Sequence, residues 1–203
     1  MLAQHLPPSP QAVVLDTNVL ISNILRRLFL RLAQHQCLSP VWGDYIGEEW
    51  RRNACRIWEI PELEAQQEWD FMQKQFPQAN MGRVHKYETD LRQSDPKDWH
   101  VIACGIAHLE RNPQQSTAII TWNTKDFHRS ELRKYDLNLY TPDQVLCLYW
   151  RHNSELMLSL FDFFEADYLL IGKEPLSIAQ ALKRERLFRL SKLYEAKLQE
   201  KAI

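Results

Sequence analysis

Four short apolar runs alternate with stretches of helical periodicity, and that alternation organises most of the chain. Ala12-Val13-Val14-Leu15 is compact, aliphatic and flanked by polar residues, as a strand buried on both faces of a parallel sheet is. Across 22–36, Leu25, Leu28, Phe29, Leu32 and Ala33 recur at helical spacing while Arg26, Arg27 and Arg31 fall on other faces, which predicts an amphipathic helix. Residues 37–41 read as a second short strand, and Asp44 as the cap of a helix running to about Trp58. Pro61 with Glu62, Glu64 and Glu68 marks another helix start, with an end near Pro77. Ser94-Asp95-Pro96 opens a helix through Leu109; strands follow at 117–122 and 137–140.

Strands separated by helices imply an α/β fold around a parallel sheet with right-handed crossovers. Beyond about Thr141 the strand pattern stops. Residues 142–164 and 175–199 read as helices, the second with Leu182, Leu187, Leu190, Leu193 and Leu198 spaced for one buried side. The expected organisation is a tail over 1–11, a sheet domain over 12–145 and a C-terminal helical extension over 146–203.

Composition narrows the chemistry. The five glycines, Gly43, Gly47, Gly82, Gly105 and Gly172, form no phosphate-cradling loop and no nucleophile elbow, which counts against nucleotide-fold kinases, Rossmann dehydrogenases and serine hydrolases. Catalysis would have to come from side chains. Twenty-five basic against 26 acidic residues give a net charge of −1, which excludes a passive, strongly basic nucleic-acid coat but leaves room for a nuclease with a local basic rim. Cys37, Cys55, Cys104 and Cys147 form no CxxC pair, so reduced thiols in a cytoplasm are expected rather than a zinc ribbon or a disulfide framework. Neither a signal peptide nor a membrane span is expected.

The informative residues are acids. Asp16 follows directly on the first strand, at the end where ligand sites of open parallel sheets gather. Asp98 continues the core-facing stripe of Ile102, Gly105, Ile106 and Leu109 in the first turn of its helix. Glu49 edges the stripe of Ile46, Trp50, Asn53 and Ile57, with Glu48 turned further towards solvent, and strand 117–122 delivers Asn123 and Asp126. Singly, each has an ordinary explanation as a helix cap, a first-turn acid favoured by the helix dipole, or a turn residue. Jointly, they are aimed at one rim of the sheet. Packed carboxylates repel one another, and a hard divalent cation relieves the repulsion; oxygen-only donors point to Mg²⁺ or Mn²⁺. His100, Cys104 and His108 share a helix face, yet the outer pair is about 12 Å apart by helical rise, too far to share one zinc.

The segments Val13-Val14-Leu15-Asp16-Thr17-Asn18-Val19-Leu20-Ile21, Glu49 with Arg52-Asn53, Asp95-Pro96-Lys97-Asp98-Trp99-His100-Val101-Ile102-Ala103, and Ile119-Ile120-Thr121-Trp122-Asn123-Thr124-Lys125-Asp126-Phe127, in this order, resemble the PIN-domain ribonucleases, in particular bacterial VapC-type toxins. The similarity extends over about 12–145, and the helical tail looks like the extension of one branch of those toxins. The resemblance implies a three-layer α/β/α fold and metal-assisted hydrolysis of RNA by Asp16, Glu49, Asp98 and Asp126, with a Mg²⁺ or Mn²⁺ ion held by Asp16, Glu49, Asp98 and Asn123 or Asp126. Asn123 departs from the family, where aspartate is usual, leaving one or two ions open. Asn18 and Thr121 would orient the acids, and Arg52, Lys125 and Arg129 are candidate phosphate contacts or plain surface charges. Trp99 and Trp122 are candidates to stack an unpaired base or simply to pack in the core. An antitoxin and a second copy of the chain are the implied protein partners.

Three other readings stay open. A housekeeping PIN nuclease would share the chemistry without an antitoxin. A PIN-like binding module would keep the acids only as structure. Leu15-Asp16-Thr17-Asn18-Val19 also resembles the opening motif of haloacid-dehalogenase-type phosphatases, but the second aspartate of that motif is missing.

Overall fold

β1 (Ala12–Leu15) pairs in parallel with β2 (Ser39–Val41) on one side and β3 (Thr117–Ile120) on the other, and β4 (Leu137–Tyr140) extends the sheet beyond β3. The resulting order is β2-β1-β3-β4, all parallel. Every residue of β1 and β3 is buried, as their largely aliphatic character requires, whereas β4 alternates buried and exposed positions as an edge strand does. The computed structural model describes residues 8–201; of the tail expected over 1–11, residues 1–7 lie outside the described residues.

Helices flank the sheet and complete the three-layer α/β/α arrangement: α1 (Thr17–Leu20), α2 (Asn23–Gln34), α3 (Asp44–Trp58), α4 (Glu62–Gln75), α5 (Trp99–Arg111) and α6 (Arg129–Lys134), followed by the C-terminal helices α7 (Pro142–His152), α8 (Ser154–Phe161), α9 (Phe164–Leu170), α10 (Ile178–Arg184) and α11 (Phe188–Lys201). The long tail helices expected over 142–164 and 175–199 are therefore broken. Asn153 leaves the helical conformation at the end of α7, and its side chain accepts a hydrogen bond from the Leu156 amide at 3.0 Å to start α8. Arg186, at φ 62°, turns the chain between α10 and α11. Strand 117–122 stops at Ile120, the helix expected from Ser94 begins with a 3₁₀ turn at Pro96–Asp98, and Gly43, not Asp44, caps α3.

One expectation about α2 fails outright. Arg26, placed by periodicity away from the apolar face, is only 4% exposed. Its guanidinium lies 5.4 Å from the Trp50 ring and 4.9 Å from the Trp58 ring and donates to the Leu20 carbonyl and to Asn23 Oδ1. Burial lowers its pKa to about 10. Two aromatic faces and two oxygen acceptors replace the water that a surface arginine would have.

A single apolar core joins the sheet to the tail: Phe161, Phe164, Tyr168, Leu182, Leu187 and Leu190 are buried in the same cluster as β1 and β3. α7 itself runs through the boundary expected at 145/146. Among the described residues no helix is long and apolar enough to cross a membrane.

Glycine here serves packing. A Cβ on Gly47 of α3 would stand 2.4 Å from Trp69 Cζ2 of α4, and the Trp69 ring is held between Trp42 and Trp50, each with its centroid 5.7 Å away. Gly47→Ala should therefore destabilise the fold by about 1–3 kcal/mol, because overpacking outweighs the gain of about 1 kcal/mol in helix propensity. A lower thermal midpoint checks this; an unchanged or raised one would show that the α3–α4 contact yields.

Candidate functional site

The strand order itself creates a crevice. From β1 the chain passes to β2 on one side and later returns to β3 on the other, so the connections diverge at the carboxyl ends of β1 and β3. Asp16 follows β1 and Thr121 follows β3, and their side chains meet: Thr121 Oγ1 donates to Asp16 Oδ2 at 2.6 Å. Asn18 Nδ2 donates to the same oxygen at 2.5 Å, and the Trp122 amide donates to Asn18 Oδ1 at 3.0 Å. Asn18 and Thr121 thus orient the Asp16 carboxylate. Asp16 precedes α1 but makes no capping hydrogen bond with its side chain, so helix capping does not account for it.

The turn carrying Asp16 is fixed from behind. The Leu20 carbonyl, at the end of α1, accepts from Arg26 Nη1 at 3.1 Å and from Trp50 Nε1 at 3.0 Å. The latter residue belongs to α3, next to Glu49, whose Oε2 takes a 2.8 Å hydrogen bond from Thr17 Oγ1. His100 Nε2, buried and without a hydrogen-bond partner, lies 3.7 Å from that same Glu49 oxygen.

Asp98 arrives by a different device. It is the residue before α5, and its side chain also makes no cap; Asp95 does the capping, accepting from the Lys97 amide at 3.0 Å. The loop leading to it is clamped by Glu131, the third residue of α6, whose carboxylate accepts from the Arg92, Gln93 and Ser94 amides at 2.6, 3.0 and 2.9 Å. Burial alone would raise the Glu131 pKa, but these amides and the Ser94 side chain outweigh it and hold the group down to about 2. The Asp95 amide donates to the Asp126 carbonyl at 2.9 Å, and the His128 amide to Ser94 Oγ at 2.9 Å, which stitches the Asp126 turn to the Asp98 turn.

The electrostatics show which acids share one region. Burial is the main cause that raises Asp16 to a pKa of about 6, and the Glu49 charge adds to it. Asp98 rises to about 7, again chiefly through burial, with further pushes from Asp16, Asp126, Asp95 and Glu49. Four separate stretches of chain thus bring acids within electrostatic reach. Even so, among the described residues no three acids, histidines or cysteines come together closely enough to ligate one ion. Neighbouring carboxylates raise one another's pKa, and either a proton or a cation relieves the repulsion. The donor set, all oxygen and two members of it disfavoured as bare anions, suits a hard divalent ion.

Other candidates fall outside this cluster. The Asn123 side chain is exposed, and only its amide is engaged, with Thr121 Oγ1 at 3.0 Å. Arg52, Lys125 and Arg129 are exposed; the last two line a groove of about 540 Å³ that also carries Asp95, Asp126 and Arg133, whereas Arg52 does not. Trp99 and Trp122 are half-buried, and Trp99 Nε1 donates to the Ser94 carbonyl at 2.9 Å. Thr17 and Glu131 were not among the residues singled out by sequence. A first-turn acid in α6 is a faint signal for Glu131, and nothing in residue type announces Thr17. No protein-family model, curated protein or solved structure matches the chain.

Proposed function

We propose that the protein is a PIN-type endoribonuclease that hydrolyses RNA phosphodiester bonds with a Mg²⁺ or Mn²⁺ ion, acting in the cytoplasm as the toxin of a toxin–antitoxin pair. The observation that carries the reading is the electrostatic meeting of Asp16 and Asp98 at the crevice between β1 and β3, with Glu49 and Asp126 in reach and neither Asp16 nor Asp98 used as a helix cap. Asp16, Glu49, Asp98 and Asp126 would hold the ion, which supplies a polarised water and neutralises charge developing on the phosphate. Asn18 and Thr121 keep the Asp16 carboxylate turned into the crevice. Thr17 does the same for Glu49. Lys125 and Arg129, on the groove that leads away from Asp126, are placed to meet flanking phosphates. The partners in this reading are RNA, a cognate antitoxin and a second copy of the chain.

The test is direct. Purified protein with single-stranded and structured RNA should cut in the presence of Mg²⁺ or Mn²⁺, leave 3′-hydroxyl ends, and fall silent in EDTA. Undiminished cutting in EDTA, or no cutting with any divalent ion, overturns the nuclease reading. Growth arrest on expression, relieved by the product of a neighbouring gene, tests the toxin assignment separately.

A further inference from the structure

The corner between α10 and α11 reaches back from the C-terminal extension to the acidic crevice. Glu185 Oε2 accepts a 2.5 Å hydrogen bond from Ser22 Oγ, at the start of α2, and Leu187 is fully buried. Between them Arg186 occupies the left-handed position that closes α10, with its amide on the Lys183 carbonyl at 3.0 Å and the Leu187 amide on the Leu182 carbonyl at 2.8 Å. Glycine is the favoured residue at such a position. Gln36, Glu59 and Asp136 adopt left-handed conformations too, so the turn by itself marks nothing. What sets Arg186 apart is where its side chain goes: the guanidinium lies 4.7 Å from the centroid of the Trp122 ring. Trp122 is the residue whose amide holds Asn18, and Asn18 holds Asp16. Arg186 is exposed, and among the described residues its guanidinium has no carboxylate or carbonyl partner.

We propose that Arg186 binds a backbone phosphate of single-stranded RNA at the mouth of the acidic crevice, its planar face resting on Trp122 and its N–H edge left for the phosphate oxygens. A chain of like charges at the crevice would repel a polyanion, and a cation parked on an aromatic ring beside it offsets that repulsion without neutralising the acids by direct pairing. Stacking also fixes the guanidinium in advance, so less side-chain freedom is lost when RNA arrives. In this arrangement the tail is one wall of the substrate site. The inference rests on the nuclease reading above and adds a specific contact to it.

The experiment measures binding, separately from cleavage. A fluorescently labelled single-stranded RNA of mixed sequence is titrated by anisotropy into the full chain carrying Asp98→Asn, over a range of salt concentrations, with and without changes at Arg186. Arg186→Gln should weaken binding about five- to tenfold at low salt and lower the slope of log K against log salt by about 0.7, the release expected for one phosphate contact on a single strand. Arg186→Lys should keep the slope and recover part of the affinity. Arg186→Gly should bind as poorly as the glutamine variant while its thermal midpoint does not fall, because glycine suits the left-handed turn. Unchanged affinity and slope in Arg186→Gln, with the parent binding RNA, would overturn this contact and leave the nuclease reading standing; weakened binding with an unchanged slope would also overturn it, assigning Arg186 to packing alone. A parent that binds no RNA overturns both.

Discussion

Asp98→Asn should cut RNA hydrolysis by about two to three orders of magnitude and, in mildly alkaline buffer, raise the thermal midpoint of the fold. The activity loss follows from removing one of the charges proposed to hold the ion. The gain in stability follows from the acid's environment. Burial, then the charges of Asp16, Asp126, Asp95 and Glu49, lift the Asp98 pKa from the ordinary 3.8 to about 7. The folded chain therefore binds a proton that the unfolded chain has released between about pH 4 and pH 7, and stability falls as pH rises through that window. Below the window the acid is neutral in both states, so the variant and the wild type should differ little. Above about pH 7 the whole cost is present in the wild type and absent in the asparagine variant, which never ionises. Thermal unfolding at acidic and alkaline pH, beside a cleavage assay, measures both halves. An Asp98→Asn protein that cleaves normally, or that unfolds more easily at alkaline pH, would mean that the carboxylate is there for structure.

That residue also shows how far sequence alone carries. Asp16 and Asp98 were legible because a strand end and a helix start are positions that aim side chains, and because the aliphatic runs 12–15 and 117–120 are strong signals for buried parallel strands. What caps and what does not was illegible. Asp95 and Asp98 have the same type and nearly the same place, and only the folded backbone decides that Asp95 takes the Lys97 amide and leaves Asp98 for the crevice. Glu131 was missed because its partners are three backbone amides, which have no residue signature. Arg186 was missed for a different reason: the leucines at 182–198 were read as one helix, and the left-handed turn that brings Arg186 to Trp122 has no signature in its residue type. Reading 142–164 as one helix merged α7 with α8, because Asn153 both ends the one and caps the other, and it left most of α9 unassigned.

Asp167→Ala should destabilise the fold strongly, lowering stability by about 3 kcal/mol and the thermal midpoint by about 10 °C. Asp167 is completely buried in α9, where it receives a two-pronged hydrogen bond from Arg31 of α2 at 2.5 and 2.6 Å. Its backbone carbonyl accepts from Asn23 Nδ2 at 3.1 Å, and Arg27 Nε stands 3.8 Å from its carboxylate. Truncation would leave Arg31 without its acid in a crowded site where the Phe163 ring lies 4.5 Å away. The large effect comes from that abandoned cation rather than from the net worth of the pair, so a double replacement, Arg31→Met with Asp167→Leu, should cost clearly less than the sum of the two single changes. Equilibrium unfolding of the two single variants and the double variant closes the cycle, and strict additivity would refute the coupling. The same contact fastens the C-terminal helices to α2, the helix whose capping residue Ser22 holds Glu185. Loosening α9 should therefore be felt at Arg186 as well: at a temperature where Asp167→Ala is still folded, its affinity for single-stranded RNA should drop towards that of Arg186→Gln, whereas Gly47→Ala, which strains the α3–α4 contact instead, should lose stability and keep its affinity.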